Sequence, residues 1–163
     1  MPTGRKTDDR KAVLGFIGIG GRGRGLLGQC LKMPDVEVPA LCDTDGEALA
    51  RARGLVHDSG RCRPECYTDH CLLLEREDVG AVIISTPWRL HTRIAIDAME
   101  AGKYAAPEVY GATSLRECWD LVRTSERTGM PCMMLENVCY GRRELAASRM
   151  VRRGLFGELV HCQ

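Results

Sequence analysis

The sequence predicts an α/β fold built on a doubly wound, mostly parallel sheet, and three observations carry that expectation. Short apolar runs alternate with helical stretches along the chain, the pattern that parallel strands and their crossover helices impose. The first run, ending at Ile17, leads into a turn in which Gly18, Gly20 and Gly23 keep the G-x-G-x-x-G spacing. An acid, Asp43, closes the second run twenty residues after Gly23.

Each glycine has a task in a dinucleotide site. Gly18 permits the tight turn, Gly20 lets the backbone approach a pyrophosphate, and Gly23 allows the next helix to pack close to the strand. The N-terminus of that helix then favours the bound anion. Asp43 stands where a carboxylate accepts hydrogen bonds from ribose hydroxyls. It would repel a 2′-phosphate, so NAD rather than NADP is the expected dinucleotide. Asp43 can also serve as a helix N-cap or an Asx turn, and the roles are compatible.

The remaining elements follow in order. A helix over 22–32 clusters Leu26, Leu27, Cys30 and Leu31, and a strand covers 36–42. A helix over 47–57 and a polar connector over 57–64 come next. A third strand lies within 63–67 and a third helix over 68–77. The run 81–85 (AVIIS) is a buried strand, rich in β-branched residues. A helix over 90–100 stops at Gly102, and 104–107 is the fifth strand. The helix over 115–128 opens on Ser114 and Glu117, a capping box. It carries Leu115, Cys118, Trp119 and Val122 as one apolar stripe and ends at Gly129 and Pro131. A sixth strand over 131–135 has Met133 and Met134 as core residues. A helix over 144–152 follows, its Arg152-Arg153 end suited to the macrodipole, and 159–163 begins as a strand. Residues 1–11 are expected to be a flexible tail, and 12–163 one domain.

Ligands of such sheets bind outside the carboxyl ends of the strands. The loops there hold Arg22, Trp88, His91, Glu108 and Asn137. Trp88 can stack on a base or pack a helix start, and His91 can reach a cofactor or lie on the surface. Glu108 can bind a ribose, act as a base, or be an exposed loop acid. Asn137 offers a donor and an acceptor to a ribose or carboxamide, or serves a turn.

The 163 residues, 44% apolar and 28% charged, describe a globular domain of ordinary size. A net charge of +1 gives no reason to expect nucleic acid or an anionic membrane as partner. No apolar run approaches a membrane span, and the N-terminus lacks a signal-peptide pattern, so a cytoplasmic location is expected. The nine cysteines are then expected to be reduced. Cys42, Cys132 and Cys139 lie in or beside strands as small apolar residues. Cys62, Cys66, His70 and Cys71, with His57 nearby, match no structural zinc spacing. They read as a solvated loop and helix start, and no metal is expected.

Together, GFIGIGGRGRG, the acid after strand two, IISTPWRLH, GKYAAPE and GLFGEL resemble the Gfo/Idh/MocA oxidoreductases. TPWRLH, ECWDLVRTSERTGMPCMMLENVCYGR and GLFGELVHCQ resemble one branch more specifically, the NAD-dependent glycosidases of glycoside hydrolase family 109. The resemblance implies an N-terminal Rossmann domain followed by an α/β substrate domain. In that branch NAD stays bound. It takes hydride from the sugar C3, elimination expels the aglycone, water adds, and the hydride returns; substrates include α-N-acetylgalactosaminides. The resemblance assigns NAD contacts to Gly21, Arg22, Asp43, Trp88, Arg89, Leu90, His91, Glu108, Val109 and Asn137.

Two departures bear on function. Family dehydrogenases usually carry E-K-P where this chain has Glu108-Val109-Tyr110. Valine moves no proton, which agrees with the glycosidase branch, although that branch usually has proline at the Tyr110 position. Relatives also continue beyond the position of Gln163 into the substrate domain, where the catalytic residues are expected. The expectation is therefore a cofactor half: it binds NAD, is inactive alone, and acts on a glycoside only if the substrate domain is supplied. An exposed crevice wall would then invite aggregation. A sugar or cyclitol dehydrogenase and a non-catalytic dinucleotide-binding module are the alternatives, and the sequence leaves a homo-oligomer open.

Overall fold

The computed structural model describes residues 11–161, so the expected N-terminal tail lies outside the described residues except for Lys11. Among the described residues, five strands form one sheet in the order β3-β2-β1-β4-β5, and every pairing is parallel. The strands are β1 (Ala12–Ile17), β2 (Val36–Cys42), β3 (Glu65–Tyr67), β4 (Ala81–Ile84) and β5 (Tyr104–Pro107). The helices between and after them are α1 (Gly21–Cys30), α2 (Gly46–Asp58), α3 (His70–Leu74), α4 (Trp88–Glu100), α5 (Leu115–Thr128) and α6 (Arg142–Arg152). A single 3₁₀ turn, Val138–Tyr140, precedes α6.

The β1 strand sits in the middle because its residues are apolar on both faces, as a central parallel strand requires. Phe16 packs with Leu27, Leu49 and Val56 under α1 and α2. Ile17 packs with Leu73, Ile94 and Met99 under α3 and α4. The register aligns Ile17 with Cys42 and Ile84, Cys42 with Tyr67, and Ile84 with Pro107. All five strands thus end at one level, and the loops after them form one rim. The strand order reverses between β1 and β4, which opens a crevice there.

Several expectations are corrected. The sixth strand is a single bridge, Ala105 to Cys132. The Ala105 amide donates to Pro131 O at 3.1 Å, and the Met133 and Leu135 amides donate to Ala105 O and Pro107 O at 2.9 and 2.8 Å. The next ladder bond would need an N–H at residue 107, and Pro107 has none. Met133 and Met134 are not core residues: they are 51% and 48% exposed. The third helix is shorter than 68–77, because Asp69 rather than Thr68 caps it, accepting from the Cys71 amide at 2.9 Å. The expected terminal strand is irregular over 159–161, and its last two residues lie outside the described residues.

The α5 start is half of the expected capping box. Ser114 Oγ accepts from the Glu117 amide at 3.2 Å. The Glu117 carboxylate accepts instead from the Thr113 amide and hydroxyl, at 2.6 and 2.8 Å, which holds its carboxyl below the usual range. The helix ends as expected at Gly129, whose φ of +71° suits a glycine C-cap. Its apolar stripe faces outward: Leu115, Trp119 and Val122 are all exposed.

Candidate functional site

The crevice begins at the turn after β1. Gly18 adopts φ +88°, and a Cβ there would lie 2.6 Å from the Ser85 carbonyl carbon and the Thr86 nitrogen. A Cβ on Gly23 would lie 2.0 Å from Gly18 O. Those two glycines are therefore demanded by the fold. Gly20 and Gly21 differ, since a Cβ at either meets nothing within 4 Å. They leave open space above the helix, which suits close approach by a ligand. Helix α1 begins with no side-chain cap and no acid in its first turn, so its N-terminal N–H groups are available to an anion.

Asp43 ties the rim together. Its Oδ2 accepts from the Ile19 amide at 2.6 Å, and its Oδ1 from the Asp45 amide at 2.9 Å. The second contact is the Asx turn anticipated from sequence, while Asp45, not Asp43, caps α2 through the Glu47 and Ala48 amides. Each carboxylate oxygen has a further acceptor site, so a ribose hydroxyl can still be bound. Buried Cys42 underlies this corner, its thiol pushed up to about 12 mainly by burial.

Gly18, Gly20, Asp43, Thr44, Thr86 and Arg89 are among the residues lining a crevice of about 370 Å³ at the strand-order reversal. Ser85 Oγ and Thr86 Oγ1 are buried there and have no hydrogen-bond partner among the described residues. Two orphaned hydroxyls beside an open glycine cradle are what a polar ligand would complete. From sequence, Ser85 closes the fourth strand and Thr86 opens the loop after it, and neither hydroxyl is given a ligand role. The signal was available: both hydroxyls stand at the carboxyl end of β4, next to the reversal.

Arg22 and Glu108 span the other side of the rim. The Arg22 guanidinium donates to Glu108 Oε1 at 2.7 Å, joining the loops after β1 and β5. That hydrogen bond raises the Arg22 pKa above its ordinary value. Glu108 is buried, not an exposed loop acid. His91 lies behind the crevice wall, 1% exposed. Its Nδ1 and Nε2 each lie 2.7 Å from a carbonyl oxygen, of Tyr110 and Thr86 respectively. His91 thus links the loops after β4 and β5. The Val109–Tyr110 peptide is cis.

Trp88 is exposed and meets Tyr110 edge-to-face at 4.9 Å. Leu90 lines the crevice with Arg89, and Trp88 shares an adjoining opening with Thr86 and Arg89. Val109 is half-buried and Asn137 exposed; neither lines the crevice. Asn137 precedes the 3₁₀ turn without capping it.

The family model described as "Oxidoreductase family, NAD-binding Rossmann fold" matches residues 13–136. The chain belongs to the Gfo/Idh/MocA family. This Gfo/Idh/MocA chain is 48% identical over 152 residues to a glycosyl hydrolase family 109 protein of Shewanella woodyi, covering 91% of the chain and 32% of that relative. It therefore spans about a third of the relative's length. Solved structures with the same fold include the WlbA dehydrogenase of Bordetella pertussis in complex with NADH and UDP-GlcNAcA. That structure superposes with a TM-score of 0.80 at 22% identity, covering 91% of this chain and 44% of that one. The scyllo-inositol dehydrogenase of Lactobacillus casei with bound NAD(H) and scyllo-inositol gives a TM-score of 0.81 at 17% identity, covering 91% and 43%. The glycine cradle, the orphaned hydroxyls and Asp43 fit the NAD that this family's Rossmann domain binds.

Proposed function

We propose that this chain is the NAD-holding part of a glycosidase of the family 109 type, acting on glycosides such as α-N-acetylgalactosaminides. The observation that carries the reading is Val109, directly after Glu108 on the crevice rim, where a dehydrogenase of the family would usually have a proton-moving lysine. NAD, when bound, supplies reversible hydride acceptance from the sugar. The chain's own residues bind and orient. The α1 N-terminus and the Gly20–Gly21 opening receive the pyrophosphate, and Asp43 accepts from a ribose. Ser85 and Thr86 gain hydrogen-bond partners. Arg22 and Glu108, held against each other, set the position of the loop after β5. Arg89 and Leu90 line the same opening, and Trp88 gives it an exposed aromatic face. His91 braces the loops after β4 and β5. Contacts of Val109 and Asn137 with NAD rest on the family resemblance alone.

No proton-transfer residue for the sugar is assigned to this chain, and the catalytic groups are placed in the substrate domain. NAD titration by calorimetry, with hydrolysis of p-nitrophenyl α-N-acetylgalactosaminide assayed alongside, tests the reading. NAD binding without hydrolysis is expected from this chain, and hydrolysis once the substrate portion of a relative is supplied. Net reduction of free NAD by a sugar in that reconstituted system would instead favour a dehydrogenase. Absence of NAD binding by the folded chain would overturn the proposal.

A further inference from the structure

We propose that Asp69, His70 and Cys71 form a binding site for a divalent cation of the zinc class, at the rim of the crevice. One potential ligand atom from each lies within 4.8 Å of the others. Cys62, Cys66 and His57 do not join this group. A carboxylate, an imidazole and a thiolate form a mixed donor set that suits zinc and its neighbours rather than calcium or magnesium.

His70 lies between two carboxylates and beside Cys71, whose Sγ is 3.8 Å from its Nε2. Its Nε2 lies 3.0 Å from Asp97 Oδ2, a hydrogen bond. Its Nδ1 faces Asp69 Oδ1 at 3.6 Å, too far for one. In the tautomer whose Nε2–H donates to Asp97, Nδ1 is left as an acceptor facing the Asp69 carboxylate. Two acceptors that face each other repel until a proton or a metal cation stands between them, so the space between Nδ1 and Asp69 Oδ1 can take either. Tetrahedral zinc with ordinary bond lengths separates an oxygen and a nitrogen ligand by about 3.3 Å, a few tenths less than the gap here.

The supporting groups are in place. The Arg93 side chain holds Asp97, its Nε donating to both carboxylate oxygens at 2.9 and 3.0 Å. Asp97 can therefore fix the His70 tautomer, as carboxylates behind metal-binding histidines do. Asp69 is steadied by the Cys71 amide at 2.9 Å. Cys71 is exposed. A cation takes the thiolate form of this side chain, so its binding releases the thiol proton. Cys71 and Asp97 also line an open cavity of about 540 Å³ with Glu75, Glu77 and Glu100. Its lysine, Lys103, directs its ammonium to Arg76 O at 2.6 Å. Asp97 and Glu100 are paired with Arg93 and Arg127, while Glu75 and Glu77 have no such partner among the described residues, and solvent can fill the fourth ligand position.

Cobalt(II) titration of the whole 163-residue chain, reduced with a phosphine, tests the proposal. The expected result is one cobalt per chain, a thiolate-to-cobalt charge-transfer band, and a binding enthalpy that varies with the buffer because a proton is released. Cys71→Ser abolishes the band. Asp97→Asn weakens binding by roughly tenfold or more, and Cys62→Ser changes neither. Melting curves check that each variant is folded, and both cysteines are exposed. Lack of a band, a band that survives Cys71→Ser, or one that vanishes in Cys62→Ser overturns the site.

Discussion

Replacing Gly20 by valine separates what the turn does for a ligand from what it does for the fold. Gly20 is the residue before α1, with an extended backbone at φ −63°, and an added Cβ meets nothing within 4 Å. The folding cost is then the loss of a tolerated N-cap glycine, about 1 kcal/mol. That lowers the melting temperature by about 2–4 °C for a domain of this size. The ligand cost is larger. A branched side chain fills the space through which a pyrophosphate approaches. Losing two charge-assisted hydrogen bonds costs about 3 kcal/mol at the low end, roughly a hundredfold in Kd. Gly23→Ala is the converse control. Its Cβ would sit 2.0 Å from Gly18 O, so α1 must move away from the turn, with an overpacking cost of about 1–3 kcal/mol or more. Calorimetric NAD titration and thermal melts of both variants measure the two effects. NAD bound as tightly by Gly20→Val as by the parent, or a parental melting temperature for Gly23→Ala, would refute the reasoning.

Asp43→Asn should lower NAD affinity relative to NADP, because it removes the charge that repels a 2′-phosphate; an unchanged ratio takes Asp43 out of the ribose site. In native protein Cys42, with its thiol pushed up to about 12 by burial, should resist an aromatic disulfide reagent while the exposed Cys62, Cys71, Cys118 and Cys139 react. Fast labelling of Cys42, located by peptide mass, would contradict that. The Arg76 guanidinium holds the Asp78 carboxyl below its ordinary range. Asp78 therefore stabilises the fold above the unfolded carboxyl value of about 3.9 and loses that contribution as pH falls through the lower folded value. Asp78→Asn should flatten the acid limb of the melting profile, and an unaltered limb argues against the pair. Trp119→Lys, at a position 54% exposed, should change stability by no more than about 0.5 kcal/mol while reducing aggregation in light scattering. A large loss of stability would mean that Trp119 is buried in solution.

Elements with a local cause were legible in the chain. The glycine turn, β1, β4, α5 with its Gly129 end and the acid at Asp43 each follow from spacing or backbone preference that needs no distant partner. The shortened α3 and the half-made capping box were less so, because Asp69 and Thr113 compete with the neighbours that a motif would favour. The site was legible as a set of loops rather than as contacts. Nothing in the spacing of Arg22 and Glu108, or of His91 and Tyr110, announces that they touch. Ser85 and Thr86 became candidates once burial left their hydroxyls without partners.

By itself the sequence determined an alternating α/β chain with a dinucleotide turn, since strand periodicity and glycine sterics act over a few residues. Tertiary structure decided which apolar residues are core. The α5 stripe and Met133–Met134 share the chemistry of buried residues, yet lie on the surface because no described element packs over them. It also decided that Pro107, lacking an N–H, reduces the expected sixth strand to one bridge. Burial and pairing depend on what arrives from elsewhere in the chain, and that is a property of the folded sheet rather than of any local run of residues.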